Sequence, residues 1–233
     1  MNSALFEAID NYCERTGPEF WSEPLNALTN LAFIAAGIWG IVLVRRHETG
    51  AFAALLAWWA IVIGVGSALF HTFANRLTVW ADVVPIALFI FMFALFSINR
   101  FLGFVWPRTI AIFVVFIIVT GAITWAVPDW LRVATNGSTG YLPAPLGLLF
   151  FGAWLVARGH PAGIYELAGL AIFAMSVTFR IIDPRVCELL PIGTHFLWHT
   201  LNGLLLGVLL TAVARYGHAR QGTGQPAAVS QPA

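Results

Sequence analysis

The sequence predicts an all-α, polytopic membrane protein built as a bundle of seven transmembrane helices. Of its 233 residues, 59% are hydrophobic and 10% are charged, and the mean hydropathy is +0.82. An ordinary soluble domain carries about 25% charged residues, so this composition excludes a soluble globular protein and a disordered chain. The net charge of +1 gives no reason to expect nucleic acid or another polyanion as a partner. What remains is a chain with room for roughly six to eight spans of about 20 residues.

Seven apolar segments are each long enough to cross a bilayer. They end where charged residues, Pro or Gly interrupt the apolar run; the first stops at Arg45-Arg46 and the sixth before Asp183-Pro184. The fifth is short and contains Pro143 and Pro145, which are unfavourable inside a helix. The predicted spans are 24–44, 51–73, 78–98, 109–127, 141–157, 164–182 and 195–216.

The arginines of the loops predict the orientation, because loops rich in basic residues stay in the cytoplasm. All 12 basic residues are Arg; seven fall on the side opposite the N-terminus and five on the N-terminal side. This bias favours an N-terminus outside and a C-terminus in the cytoplasm. We therefore expect an acidic N-terminal segment, 1–22, a seven-helix domain, 23–217, and a disordered cytoplasmic tail, 218–233, rich in Gly, Gln, Pro and Ala.

Ionisable side chains inside the spans are the first candidates for a functional site, because they are costly in a membrane. His195 and His199 lie four residues apart in the seventh predicted span, so both imidazoles face one side of the helix. This spacing lets two histidines bind one metal, and His71, near the end of the second span, lies at the same depth. Three histidines with an open fourth position are typical of catalytic zinc. Without a metal, the pair would be two interfacial histidines at a helix start.

Two further polar residues accompany the histidines. Ser67 lies four residues before His71 and shares its helix face, although the small residues at 64–67 also favour close helix packing. Asp82 lies near the start of the third span, where it could cap the helix, bind the metal, or act as general base for an attacking water. We favour the general base, because three histidines already complete a catalytic ligand set.

Oxygen ligands crowd the N-terminal segment. Glu23 directly precedes the first span, and four more candidates lie close together upstream, namely Asp10, Asn11, Tyr12 and Glu14. Hard oxygen ligands suit calcium, so the segment is a candidate calcium site. The alternative is an acidic segment that is simply solvated.

The two cysteines are candidates for a disulfide. Cys13 lies in the acidic segment and Cys187 in the loop before the seventh span. The predicted topology places both outside the cytoplasm, where a disulfide persists, and a bridge would join the two proposed metal sites. Two free, buried thiols are the alternative.

Taken together, these residues resemble the pattern of a known family. The motif S-x3-H-x10-D at 67–82, followed far downstream by H-x3-H at 195–199, is similar to that of the alkaline ceramidases. These belong to a superfamily of seven-helix membrane hydrolases that includes the progestin and adipoQ receptors and the Per1-like lipid-remodelling proteins. The stretch EPLNALTNL at 23–31 and the paired cysteines resemble the bacterial ceramidases in particular.

The resemblance implies a zinc amidase that cleaves the N-acyl bond of ceramide and releases a fatty acid and a sphingoid base. It implies His71, His195 and His199 as zinc ligands. It further implies Ser67 as a hydroxyl that polarises the substrate carbonyl and Asp82 as the acid/base carboxylate. The expected partner is then a membrane lipid, ceramide or another N-acyl lipid, and no protein partner is implied.

A calcium site in the N-terminal segment is also implied by the resemblance, so the expected cofactors are zinc and calcium. Glu14 and Glu23 match ligands of that site. The other family positions fall on residues that differ from the family pattern, namely Asn11 (beside Asp10), Tyr12 and Thr16.

Three functions are consistent with the sequence. The leading one is a lipid amidase of the bacterial plasma membrane with its active site near the outer face. The second is a zinc hydrolase of another ester or N-acyl lipid. The third is a seven-helix receptor or transporter with a structural zinc, but a receptor would not need Ser67 and Asp82 beside the metal. A transporter would be expected to show internal repeats, which the sequence lacks.

Overall fold

The computed structural model describes residues 3–219, and the regular structure of these residues is helical. Seven helical segments are long and apolar enough to cross a membrane, with the bounds Pro24–His47, Ala51–Phe73, Arg76–Phe101, Trp106–Trp125, Ser138–Ala157, Ala162–Val186 and His195–Tyr216. A short helix, Asp129–Ala134, lies between the fourth and fifth spans. The protein is therefore a seven-helix bundle of the multi-pass membrane type, which confirms the predicted fold class.

Local sequence explains where the first and third spans begin. The first begins at Pro24, because proline at the first helical position gives up an N–H that would have no intrahelical partner. It turns tightly at Asn30 and continues to His47. The third begins at Arg76, earlier than predicted, because a capping box formed by Asn75 and Thr78 satisfies the free N–H groups of its first turn.

Two proline-containing spans differ from the sequence prediction. In the fifth, the α-helix begins at Pro143 after a 3-10 turn at Ser138–Tyr141. Its prolines thus lie in the first turn, where N–H groups lack helical partners in any case. The predicted end of the sixth span, before Asp183-Pro184, is wrong, because the helix continues to Val186. Pro184 lies in the last turn, so the hydrogen bond that it removes affects only the end of the helix.

The seventh span is the centre of the bundle. It packs against the first and sixth spans, while the second packs against the first and the third. Its apolar stretch is the most buried of the seven, and that of the fourth span is the least. This packing order gathers the N-terminal ends of the first, third and seventh spans around the C-terminal end of the second.

The N-terminal segment attaches to this end of the bundle. Backbone hydrogen bonds run from Ile9 N to Ala74 O, at 2.8 Å, and from Arg76 N to Glu7 O, at 3.3 Å. The predicted disordered tail, 218–233, lies outside the described residues apart from its first two. The orientation of the termini across the membrane stays a prediction.

Gly66 allows a close approach of the second and third spans. A Cβ atom at this position would overlap the carbonyl oxygen of Ala81. Because glycine has no side chain, the two helices come near enough for the next residues, Ser67 and Asp82, to lie side by side.

We expect Gly66→Ala to lower the free energy of unfolding by about 1–3 kcal/mol, because the added methyl group has to displace the backbone of the third span. Thermal unfolding of the detergent-solubilised protein measures the change. Gly121→Ala is a matched control, since nothing lies within 4 Å of a Cβ at that position. It should be neutral or stabilising by up to about 1 kcal/mol, because alanine favours a helix over glycine. Equal stabilities of the two variants would contradict the close approach.

Candidate functional site

Three buried imidazoles meet at the end of the bundle to which the N-terminal segment attaches. His71 comes from the last turn of the second span, and His195 and His199 come from the first turns of the seventh. Their candidate ligand atoms all lie within 4.8 Å of one another, and each residue is at most 2% exposed. The structure therefore brings together the three histidines that the sequence singled out.

The His71 ring is oriented by Glu23. Its Nδ1 lies 2.6 Å from Glu23 Oε2, and both side chains are buried. Because an ionised carboxylate can only accept a hydrogen bond, Nδ1 carries the ring proton and the lone pair is left on Nε2. That Nε2 atom is buried and has no hydrogen-bond partner among the described residues. A histidine held by a carboxylate through one nitrogen and free at the other is typical of a metal ligand.

Contacts from neighbouring segments orient the other two rings. His199 Nδ1 lies 3.0 Å from Thr29 Oγ1. Thr29 directs its own proton to carbonyl oxygens of its helix, 2.8 and 3.1 Å away, so it accepts from His199, whose lone pair is then on Nε2. His195 stacks on Tyr12 with ring centroids 3.6 Å apart, and its Nδ1 is buried without a partner in residues 3–219. The donor set therefore fits a metal ion.

Ser67 and Asp82 lie beside the histidines. Both residues are buried, and the Ser67 hydroxyl lies next to the Asp82 carboxylate. Asp82 Oδ1 has no hydrogen-bond partner in the part of the chain that is described, and the carboxylate lies within electrostatic reach of His71. Since Asn75 caps the third span, Asp82 is not needed as a helix cap.

Arg180, near the C-terminal end of the sixth span, is a charged neighbour of the site that the sequence analysis missed. Its guanidinium carbon lies 5.4 Å from the centre of the Tyr141 ring, and it donates to the carbonyl oxygen of Asn136 and to Ser138 Oγ, both at 2.6 Å. It also lies within electrostatic reach of Tyr12 and Asp82. Burial raises the pKa of the Tyr12 phenol, so Tyr12 is neutral and its hydroxyl can donate or accept a hydrogen bond. An arginine inside an apolar span is itself a clue to a functional site. From the sequence, however, Arg180 contributed only to the prediction of orientation across the membrane.

Two of the residues predicted to hold calcium, Glu14 and Tyr12, have other partners in the structure. The two carboxylate oxygens of Glu14 accept backbone N–H groups at the start of the first span, 2.6 and 2.7 Å away. Asp10 and Asn11 are exposed, and Tyr12 packs on an imidazole. Within the described residues, the three histidines alone form a group of His, Cys, Asp or Glu able to hold a metal. The predicted calcium site is therefore not supported.

Glu23, the fifth of these residues, supports a histidine. Its Oε1 forms a buried ion pair with Arg15, and its Oε2 accepts from His71 and, at 3.1 Å, from Asn26. Burial by itself raises the pKa of Glu23. The hydrogen bond from His71 and the Arg15 guanidinium outweigh that effect and lower the pKa, so the carboxylate is charged.

Comparison with known families agrees with this geometry. The profile of the Ceramidase family matches residues 7–229, nearly the whole chain. The chain belongs to the ceramidase family. Membership supports a hydrolase of ceramide-type amides with a lipid substrate, which confirms the resemblance seen in the histidine and aspartate motif. A comparison with curated proteins gave no significant match.

A disulfide fixes the N-terminal segment of this ceramidase-family protein to its seven-helix domain. Cys13 is bonded to Cys187, as predicted, and Cys187 directly follows the sixth span. The bridge places residues 12–15 against the histidines.

Asp183 reinforces the same junction. One carboxylate oxygen accepts the N–H groups of Thr194, at 2.6 Å, and His195, at 2.9 Å, and the other accepts that of Cys13, at 3.2 Å. Gly193 makes this possible, because its φ is +63° and a Cβ atom there would overlap the carboxylate. Asp183 thus caps the seventh span in the turn that carries His195.

We expect Asp183→Ala to lower the free energy of unfolding by about 2–3 kcal/mol, because three backbone N–H groups lose a charged acceptor. Thermal unfolding measures this loss. Asp129→Ala is the control, because Asp129 is exposed and its ion pair with Arg132, at 3.9 Å, lies on the surface. Such a pair contributes about 0–1 kcal/mol. Indistinguishable unfolding of the two variants would mean that Asp183 does not stabilise the junction.

Proposed function

We propose that this protein is a zinc-dependent amidase that hydrolyses the N-acyl bond of ceramide or a ceramide-like lipid within the membrane. The products are a fatty acid and a sphingoid-type base. The observation that carries this proposal is the buried group of three imidazoles with the Ser67–Asp82 pair beside it. Membership of the ceramidase family supports the substrate class.

The side chains divide the chemistry among them. A zinc ion held by His71, His195 and His199, when bound, acidifies water and polarises a carbonyl oxygen. Asp82 takes the proton from the attacking water and delivers it to the amine nitrogen as the carbon–nitrogen bond breaks. The Ser67 hydroxyl donates a hydrogen bond to the substrate oxygen as negative charge develops there.

An apolar cavity inside the bundle suits the hydrocarbon part of such a lipid. All seven spans contribute to its wall. It extends along the seventh span from Trp198, next to His199, to Leu209, a distance of about 16 Å at the helical rise per residue. Apolar cavities with few polar groups bind hydrocarbon chains. The buried Glu166 lines the same cavity and accepts a hydrogen bond from Ser97 at 2.6 Å.

We expect purified protein to contain one zinc ion per chain and to release fatty acid from labelled ceramide. Replacing His71, His195 or His199 by Ala should lower both zinc content, measured by mass spectrometry of the metal, and turnover. His160→Ala should change neither, because His160 packs on Phe101 at the opposite end of the bundle. Full zinc content in all three site variants would contradict the site. Hydrolysis of a matched lipid ester but not of the amide would make the protein an esterase.

Two variants separate catalysis from metal binding. Asp82→Asn should keep zinc and lose about 10²–10⁴-fold in kcat, the usual contribution of a positioned acid/base. Ser67→Ala should keep zinc and lose about 10²–10³-fold, the usual contribution of an oxyanion donor.

Steady-state hydrolysis and zinc analysis of the same preparations decide between the roles. If Asp82→Asn loses zinc while its unfolding temperature is unchanged, Asp82 is a metal ligand. If both variants cleave the amide at the parental rate, the reaction does not use them, and a receptor with a structural zinc becomes the better description.

A further inference from the structure

Arg15 is a buried cation next to the three histidines. Its side chain is 3% exposed, and its guanidinium contacts three oxygen atoms. Nε donates to Glu23 Oε1, Nη1 donates to the carbonyl oxygen of Gly17 at 2.9 Å, and Nη2 donates to that of His71 at 3.1 Å. The guanidinium therefore joins the N-terminal segment, the start of the first span and the end of the second.

Oxygen atoms gathered around one positive charge are the usual environment of a hard metal cation. Here a side chain supplies the charge. The carboxylates that the family resemblance assigns to calcium have other partners, because Glu14 accepts backbone N–H groups and Glu23 accepts from Arg15 and His71. With Asp10 and Asn11 exposed, these residues do not fit a calcium ion.

We infer that the Arg15 guanidinium replaces, in this chain, the calcium ion that the resemblance implies, so that the site is braced by an internal cation and is independent of calcium. Arg15 is a positioning residue that acts through Glu23 on His71. The inference rests on the proposed function in one respect, since it takes His71 as a zinc ligand.

The physical reason is the cost of a buried charge. A carboxylate buried without a paired cation is strongly disfavoured. The Arg15 guanidinium pairs with Glu23 Oε1, which leaves Oε2 to accept from His71 Nδ1. The planar fork of the guanidinium also reaches two carbonyl oxygens. A lysine ammonium keeps the charge but not this geometry.

Calcium binding is the first test and does not depend on activity. Calcium is titrated into the calcium-free, detergent-solubilised full chain and followed by calorimetry and thermal unfolding. We expect neither stoichiometric binding nor a shift in unfolding temperature. Stoichiometric calcium binding by the parental protein would overturn the inference, whether or not the protein binds zinc. Absence of zinc from the parental protein would contradict the proposed function, while the calcium titration would still decide this inference.

Zinc affinity of Arg15 variants is the second test. Removing a residue that orients a metal ligand typically costs about 10–100-fold in affinity. We expect a loss of this size in Arg15→Ala and a smaller one in Arg15→Lys, measured by competition with a chromophoric chelator. Arg76→Ala is the matched control, because Arg76 pairs with Glu7 at 2.7 Å at the same end of the bundle but on the surface. Its zinc affinity should equal the parental value.

Chemical rescue separates positioning from a purely structural role. In Arg15→Ala, millimolar guanidinium should restore part of the zinc affinity, because it supplies the missing cation to Glu23 and the two carbonyl oxygens. Parental zinc affinity in Arg15→Ala would overturn the inference. So would a loss that guanidinium does not restore. If Arg15→Ala does not fold, Arg15→Lys and the calcium titration of the parental protein decide the question.

Discussion

The Glu23 carboxylate is the interaction on which the geometry of the site depends. One of its oxygens pairs with the Arg15 guanidinium and the other accepts the His71 Nδ1 proton. Burying a carboxylate is strongly unfavourable unless it is paired and hydrogen-bonded, so neither partner is dispensable. Arg15 belongs to the N-terminal segment and His71 to the second span. The segment that precedes the first helix is therefore part of the site.

Four consecutive residues of that segment bind four different parts of the structure. Tyr12 stacks on His195, Cys13 is bonded to Cys187, Glu14 caps the first span, and Arg15 pairs with Glu23. The histidines come from the ends of helices, where fewer backbone hydrogen bonds hold the chain. Contacts from outside the helices compensate for this and hold the rings in the orientation that a metal ion requires.

Much of the fold could be predicted from the sequence, because a bilayer imposes a length and an apolar composition on each span. The seventh span was predicted with its observed bounds, and the histidine group followed from spacing and depth. The sequence was less informative where a tertiary partner decides the local structure. Asp183-Pro184 is typical of a helix end, but the helix continues to Val186 and the Asp183 carboxylate accepts N–H groups of another segment. The pairing of Glu23 with Arg15 and His71 could not be predicted either, because no spacing rule connects residues 15, 23 and 71.

The distribution of unsatisfied polar atoms connects the fold to the chemistry. Six buried side-chain nitrogen or oxygen atoms of the described residues lack a hydrogen-bond partner. Five of them belong to Asn26, Asn30, His71, Asp82 and His195, at the histidine end of the bundle, and the sixth belongs to Glu166 in the apolar cavity. Each such atom costs about 1–3 kcal/mol when nothing pairs with it, and a membrane interior offers no water to do so. A metal ion, a water molecule and a substrate amide would supply partners at the histidine end. In residues 3–219 the unsatisfied buried polar atoms are therefore concentrated around the histidines, and those of His71, His195 and Asp82 belong to residues that the proposed reaction uses.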